Sequence, residues 1–109
     1  MNDLQKAQTI LEQGGYTCVL CSGEQVKTDS RRGVKPLLEL LESGENYNGF
    51  CAADKVVGKA AAHLYCLLGV KAVYAGVISQ RAKAVLEENG TPVTFGTEVS
   101  AIRNRTNTG

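Results

Sequence analysis

The sequence lacks a hydrophobic segment long enough to cross a membrane. Its most apolar stretch, residues 60–70, is interrupted by His63 and is too short to span a bilayer. Residues 1–15 alternate polar and apolar side chains and lack the continuous apolar core of a signal peptide. We therefore expect a soluble, cytoplasmic protein without a membrane partner.

The sequence also lacks an excess of charge of either sign. Its 12 basic and 11 acidic residues give a formal net charge of +1, which does not create the broad positive field that binds a nucleic-acid backbone. We therefore expect no nucleic-acid polymer as a partner, and any anion site must be local. With 43% hydrophobic and 21% charged residues, the composition is typical of a single globular domain over residues 1–109.

Common cofactor and nucleophile motifs are absent as well. The sequence contains no GxGxxG, GxxxxGK[ST], HExxH or GxSxG pattern, so we expect no cofactor. Its one histidine, His63, has no adjacent Ser or Cys with which to build a nucleophilic triad. Cys18 and Cys21 lie in a predicted strand, where residues three apart point to opposite faces and cannot form a zinc knuckle. We interpret all four cysteines as free thiols and predict no metal site.

Apolar periodicity and glycine stops predict the element order α-β-β-α-β-α-β-α-β. A hairpin turn at Gly23-Glu24 is followed by three strands that alternate with helices, and right-handed crossovers make those three strands parallel. The sequence therefore predicts a three-layer α/β/α sandwich with a mixed five-stranded sheet. The predicted helices are 3–13, 36–43, 55–68 and 80–88; the predicted strands are 16–22, 25–28, 49–53, 71–78 and 93–95; residues 98–109 form a polar, partly disordered tail.

Two predicted helix starts are candidate ligand sites. Open α/β sheets bind ligands at the carboxyl ends of parallel strands, which here are Ala53-Asp54-Lys55 and Ile78-Ser79-Gln80. Backbone N–H groups and the positive end of each helix dipole favour an anion there. Asp54 and Ser79 are interpreted first as helix caps, a role that is compatible with contacting a ligand.

Basic residues near these starts complete the candidate site. Lys55, Lys59 and His63 are spaced four apart on the predicted third helix, so they form either a solvated face or a phosphate or carboxylate site. The loop of residues 29–35 gathers further cations and is either solvated or closes over an anion. The candidate ligand-binding residues are Asp54, Lys55, Lys59, Ser79, Arg32 and Lys35; no catalytic residue is assigned.

Three stretches carry a resemblance to a known family. They are Arg32-Gly-Val-Lys-Pro-Leu-Leu38, Ala53-Asp-Lys-Val-Val-Gly-Lys-Ala-Ala-Ala62 and Ile102-Arg-Asn-Arg-Thr106. With them the chain resembles domain-of-unknown-function family 1893, an uncharacterised prokaryotic family that is grouped with the cytidine deaminases by fold. The resemblance implies a cytidine-deaminase-like fold, in agreement with the predicted element order. The family pattern continues into a short Cys-Pro-containing end that this sequence does not include.

The same resemblance allows a comparison with the zinc site of deaminases. Those enzymes carry His/Cys-x-Glu at the helix start after the third strand and Pro-Cys-x-x-Cys after the fourth. The matching predicted positions hold Ala53-Asp54-Lys55 and Ser79-Gln80-Arg81, which offer no thiol, no imidazole and no glutamate. We therefore predict that the protein is not a zinc-dependent deaminase.

Three functions stay open at this point. The first is a zinc-free domain that binds a small anionic or nucleotide-like ligand at helix N-termini. The second is an enzyme of unknown chemistry that uses Asp54 and Lys55 as an acid/base pair. The third is an interaction module in which the apolar segment of residues 56–68 contributes to a homodimer.

Overall fold

The computed structural model describes residues 2–101. Its elements follow the predicted order. No helix in this range is long and apolar enough to cross a membrane. The elements are α1 (Asp3–Gly14), β1 (Cys18–Ser22), β2 (Gln25–Asp29), α2 (Lys35–Glu42), β3 (Cys51–Val57), α3 (Lys59–Leu68), β4 (Ala72–Ser79), α4 (Gln80–Glu88) and β5 (Val93–Val99).

The five strands form one mixed sheet in the order β2-β1-β3-β4-β5. β1 is antiparallel to both of its neighbours, whereas β3, β4 and β5 are parallel to one another. Because β1 runs against both β2 and β3, the strands β2, β3 and β4 all point the same way. Each of these three strands leads into a helix, so α2, α3 and α4 begin at one end of the sheet, which we call the carboxyl end.

Helices cover both faces of the sheet, as predicted. On one face α1 packs Ala7 and Leu11 against Val19, Cys21 and Ala53. On the other face α2, α3 and α4 bury a larger core against the sheet. Each fully buried Val, Leu or Ile side chain contributes about 1.5–3 kcal/mol to this packing. Members of the larger core include Leu20, Leu37, Tyr65, Val73, Ile78 and Leu86.

Local signals place most of the helix ends. α1 begins with a capping box between Asn2 and Gln5. α4 begins at Ser79, whose hydroxyl oxygen accepts a hydrogen bond from the Ala82 N–H, so the predicted cap is confirmed. α3 ends at Gly69 with φ +75°, a left-handed conformation that glycine adopts without steric cost.

The boundary between β3 and α3 differs from the prediction. β3 continues to Val57 instead of ending at residue 53, and α3 begins at Lys59 instead of Lys55. The prediction that Asp54 caps this helix is therefore wrong, because Asp54 lies inside the strand. Valines favour strands, and here Val57 pairs with Ile78 of β4.

The last strand is also longer than predicted. β5 continues to Val99, which pairs with Ser79 at the end of β4. The predicted polar tail therefore begins later than residue 98. The rest of that tail, including the predicted disorder and the stretch Ile102-Arg-Asn-Arg-Thr106, lies outside the described residues.

Two glycines allow β3, β4 and β5 to bend together. A Cβ on Gly76 would lie 2.7 Å from the Lys55 carbonyl oxygen, and one on Gly96 would lie 2.9 Å from the Gly76 carbonyl oxygen. Ala75 and Ile78 both belong to the larger core although they are three residues apart, and a regular strand would direct them to opposite faces. β4 therefore changes the face that it presents to the core at Gly76.

Candidate functional site

Four of the six candidate residues lie at or beside the starts of α2, α3 and α4, whereas Asp54 and Lys55 lie within β3. β3 rises by about 3.3 Å per residue, so Asp54 lies roughly 13 Å along the strand from Gly58, the residue that precedes α3. The residues divide as follows: Arg32 follows β2, Lys35 begins α2, Asp54 and Lys55 lie within β3, Lys59 begins α3, and Ser79 ends β4.

Two predicted groupings within this set are wrong. Asp54 and Lys55 lie in a strand and not in the first turn of a helix, where the acid/base pair was predicted. The Asp54 carboxylate is half-buried and bonded to Tyr65 and Val56, whereas Lys55 is exposed. Lys55 also lies outside α3 and cannot share a helical stripe with Lys59 and His63. Lys59 and His63 are one turn apart on α3, and both are exposed.

The three helix starts differ in how their N–H groups are satisfied. Ser79 caps α4 through its buried hydroxyl, at 3.1 Å from the Ala82 nitrogen. α2 begins after Val34 and α3 begins after Gly58, and within the described range 2–101 neither start receives a hydrogen bond from a capping side chain. The first N–H groups of a helix have no partner within the helix. The free backbone N–H donors, together with the positive end of the helix dipole, therefore favour binding of an anion at the starts of α2 and α3 more than at the start of α4.

Some charges at this end neutralise one another. The Arg31 guanidinium donates to Asp29 at 2.8 Å and to Glu39 at 2.6 Å, and these bonds hold the pKa of both carboxyls below their usual values. Lys83 and Glu98 form another ion pair at 3.2 Å. Arg31, which belongs to the predicted basic loop, is thus already paired with two carboxylates of the protein.

Other cations at the carboxyl end carry no such partner. Within residues 2–101, five exposed basic side chains form no ion pair, of which four lie at or beside the helix starts and one, Lys55, lies within β3. Sequence reasoning identified four of them and missed the fifth, which lies in the first turn of α4. The five are Arg32, Lys35, Lys55, Lys59 and Arg81.

Asp54 belongs to a different environment in the core between β3 and α3. Its Oδ2 accepts a hydrogen bond of 2.6 Å from the Tyr65 hydroxyl, and its Oδ1 accepts one of 3.2 Å from the Val56 N–H. The Tyr65 hydroxyl also lies 3.2 Å from the Cys18 Sγ. Because Tyr65 donates its only proton to Asp54, the Cys18 thiol is the donor in that contact. Asp54 is half-buried, whereas Tyr65 and Cys18 are buried.

Burial shifts the titration of all three side chains. It raises the pKa of Asp54 to about 6, although the hydrogen bonds from Tyr65 and Val56 oppose this shift. Burial, with the nearby Asp54 charge, raises the pKa of Cys18 to about 12. The same two causes raise the pKa of Tyr65 well above its usual value. The sequence gave no local signal for this hydrogen-bonded series of Cys18, Tyr65 and Asp54, because the three residues come from β1, α3 and β3.

Solved deaminase-fold structures share the architecture. A dCMP deaminase from the cyanophage S-TIM5 aligns with a TM-score of 0.55 and 14% identity, covering 89% of this chain and 94% of that chain. RibD from Acinetobacter baumannii aligns with a TM-score of 0.56 and 18% identity, covering 85% of this chain but 34% of RibD. At these identities the likeness shows the fold alone, and the fold is that of the cytidine-deaminase-like proteins.

A more similar chain and a family model narrow the assignment. A DUF1893 family protein from Thermotoga maritima aligns with a TM-score of 0.86 and 28% identity, covering 96% of this chain and 71% of that chain. The family model described as "Domain of unknown function (DUF1893)" matches residues 6–109. The chain belongs to this family, as its three characteristic stretches predicted. None of the curated proteins compared with the chain matches it.

The residues at the two helix starts do not fit the zinc that deaminases carry. With α3 beginning at Lys59, the matching positions are Val57, Gly58 and Lys59 rather than residues 53–55, and Ser79 and Gln80 begin α4. None of these side chains is a thiol, an imidazole or a carboxylate. In the described part of the chain, no group of three or more His, Cys, Asp or Glu side chains is arranged to hold a metal.

Proposed function

We propose that the protein binds a small anionic ligand, such as a phosphate ester or a nucleotide-like compound, at the carboxyl end of its sheet. One observation carries this proposal: four exposed cations at or beside the starts of α2, α3 and α4 form no ion pair in residues 2–101, namely Arg32, Lys35, Lys59 and Arg81. The whole chain has a net charge of only +1. The positive charge is therefore concentrated locally, which attracts small anions without a general affinity for polyanions.

The start of α3 is the best position within this region for the anion. Gly58 has no side chain to obstruct a ligand, and no capping side chain bonds to the N–H groups that follow it. Lys59, the first residue of α3, adds an exposed cation to this helix start. Backbone N–H groups, the positive end of the helix and a lysine together form a common arrangement for binding phosphate.

The proposal predicts that binding depends on Lys59. Titration of 15N-labelled protein with inorganic phosphate, and separately with adenosine 5′-monophosphate, should shift the amide signals of residues 58–61. We expect Lys59→Gln to weaken binding about 3- to 10-fold, since a charge at a helix N-terminus is worth on the order of 1 kcal/mol. Raising the NaCl concentration should weaken binding to the wild-type protein because salt screens the same charges.

Lys71→Gln is the matched control. Lys71 is exposed and lies just before β4, at the opposite end of the sheet, so its loss should leave binding unchanged. Equal losses in the two variants, or shifts that do not include residues 58–61, would contradict the proposed site.

A further inference from the structure

The carboxylate of Asp54 has no charged partner among residues 2–101. Asp54 lies in a row across the sheet with Cys18 and Asp29, since the register pairs Cys18 with both aspartates. Asp29 is bonded to Arg31, whereas Asp54 forms no ion pair within residues 2–101. Its partners are the Tyr65 hydroxyl and the Val56 N–H.

These two hydrogen bonds do not require a negative charge. A side-chain amide oxygen also accepts hydrogen bonds from a hydroxyl or an N–H, whereas a half-buried carboxylate loses hydration and costs stability. Places where a protein keeps a costly group without local compensation are often functional. What Asp54 lacks among residues 2–101 is a cationic partner. Asp54 is also the end of the Cys18–Tyr65–Asp54 hydrogen-bonded series that solvent reaches.

We propose that Asp54 binds an amine or N–H donor group of the same ligand whose anionic group lies at the start of α3, and that Tyr65 is a positioning residue for the Asp54 carboxylate. The proposal rests on the function proposed above and narrows it. The ligand class becomes a compound that carries an anionic group and an amine or N–H group at opposite ends.

The spacing of the two positions limits the ligand further. Asp54 and Gly58 are four residues apart along the chain, a separation of at most roughly 13 Å for a fully extended strand. A free amino acid or inorganic phosphate is too short to contact both positions. A phosphate ester with a chain or ring system between its two ends has the required length.

A matched pair of probes tests the proposal. Hexyl phosphate and 6-aminohexyl phosphate have the same anion and the same chain, and only the second carries an ammonium group. We expect the wild-type protein to bind 6-aminohexyl phosphate about 3- to 10-fold more tightly, as measured by calorimetry at pH 7.5. Asp54→Asn should remove this preference and leave hexyl phosphate binding intact. Glu88→Gln, which removes a charge from the exposed end of α4, should retain the preference.

The pH profile of the wild-type protein gives a second measurement that needs no variant. The preference should be present above pH 6 and lost below it, because Asp54 is ionised only above its pKa of about 6. Among the groups that face it, Tyr65 and Cys18 have raised pKa values and stay neutral, and Asp29, the next carboxyl in the row, stays ionised. The phosphate titrates equally in both probes and cancels. In Tyr65→Phe the midpoint should move to higher pH, because the lost hydrogen bond favours the ionised carboxyl.

The outcomes separate this proposal from the proposed function. If the wild-type protein binds both probes equally at pH 7.5, or if Asp54→Asn keeps the preference, the role of Asp54 is overturned while the anion site stands. If hexyl phosphate does not bind, or if Lys59→Gln leaves its binding unchanged, the anion site itself fails.

Discussion

Asp29 and Asp54 lie in one row across the sheet, two strands apart, and their carboxyls are held in opposite ways. Arg31 holds the pKa of Asp29 below its usual value, whereas burial raises that of Asp54. The sequence identified Asp54 as a candidate but misjudged its role as a helix cap. Its main partner, Tyr65, is eleven residues away and reaches it only because α3 folds back over β3.

The raised pKa makes Asp54 a source of pH-dependent stability. Because the pKa of about 6 in the folded protein exceeds the ordinary pKa of an aspartate side chain, folding favours the protonated form. This contribution is fully present below about pH 4 and is lost as pH rises through 6. Asp54→Asn should therefore raise the free energy of unfolding at pH 7 by about 1 kcal/mol. In urea denaturation, the variant should also lack the decline in the free energy of unfolding that the wild-type protein shows between pH 4 and 6.

Asp29→Asn is the control of opposite sign. Its carboxyl has a lowered pKa, so its stabilising effect is present at neutral pH and disappears as pH falls through the folded pKa. The variant should thus be less stable than the wild-type protein at pH 7 and approach it in acid. Destabilisation by Asp54→Asn at pH 7 would show that the ionised Asp54 is not a cost to the fold.

Among the elements, the predictions that succeeded depended on local signals. The hairpin turn, the Ser79 cap and the glycine that ends α3 each act within a few residues of the chain. The end of β3 has no such signal, because Val56 and Val57 are compatible with a strand or with an apolar helix face. Pairing with β4 decides between these possibilities, and that pairing involves residues about twenty positions later.

The bend at Gly76 is an element-level feature that a single methyl group should disturb. An alanine Cβ there would lie 2.7 Å from the Lys55 carbonyl oxygen, which is backbone and cannot move aside. We expect Gly76→Ala to lower the free energy of unfolding by about 2–3 kcal/mol. Gly44→Ala, at φ +76° with open space around it, should cost only about 1 kcal/mol of backbone strain. If chemical denaturation shows that Gly76→Ala loses no more free energy of unfolding than Gly44→Ala, the close contact at Gly76 is contradicted.

At the scale of the whole molecule, topology carried more information than side-chain detail. Strand order and right-handed crossovers place the helix starts at one end of the sheet, where Arg32, Lys35 and Lys59 lie, whereas Lys55 lies within β3. The same reasoning could not show that Asp54 is separated from Lys59 or bonded to Tyr65, because those facts depend on where β3 ends. The homodimer through residues 56–68 stays a prediction, which light scattering can test.

Strand position also predicts how protection from hydrogen exchange is distributed. β3 and β4 are paired on both sides, and their amides should open only with global unfolding. β2 is an edge strand, and four of its five residues are exposed, so it should exchange faster than β3. β5 is the other edge strand but has partly buried residues, and it should lie between them. Mass-spectrometric exchange at peptide resolution can rank these strands, and equal protection of β2 and β3 would contradict the ranking.

The shared bend at Gly76 and Gly96 has a consequence for the spacing of the helix starts. β3 and β4 pass through this bend just before they deliver α3 and α4, so its sharpness sets the angle at which the two helices leave the sheet. At Gly76 and Gly96, hydrogen atoms in place of side chains permit the close approach of these strands just before α4 begins and β5 ends. The geometry of the proposed anion site would therefore depend on residues in the middle of the sheet that are not themselves candidate ligand contacts.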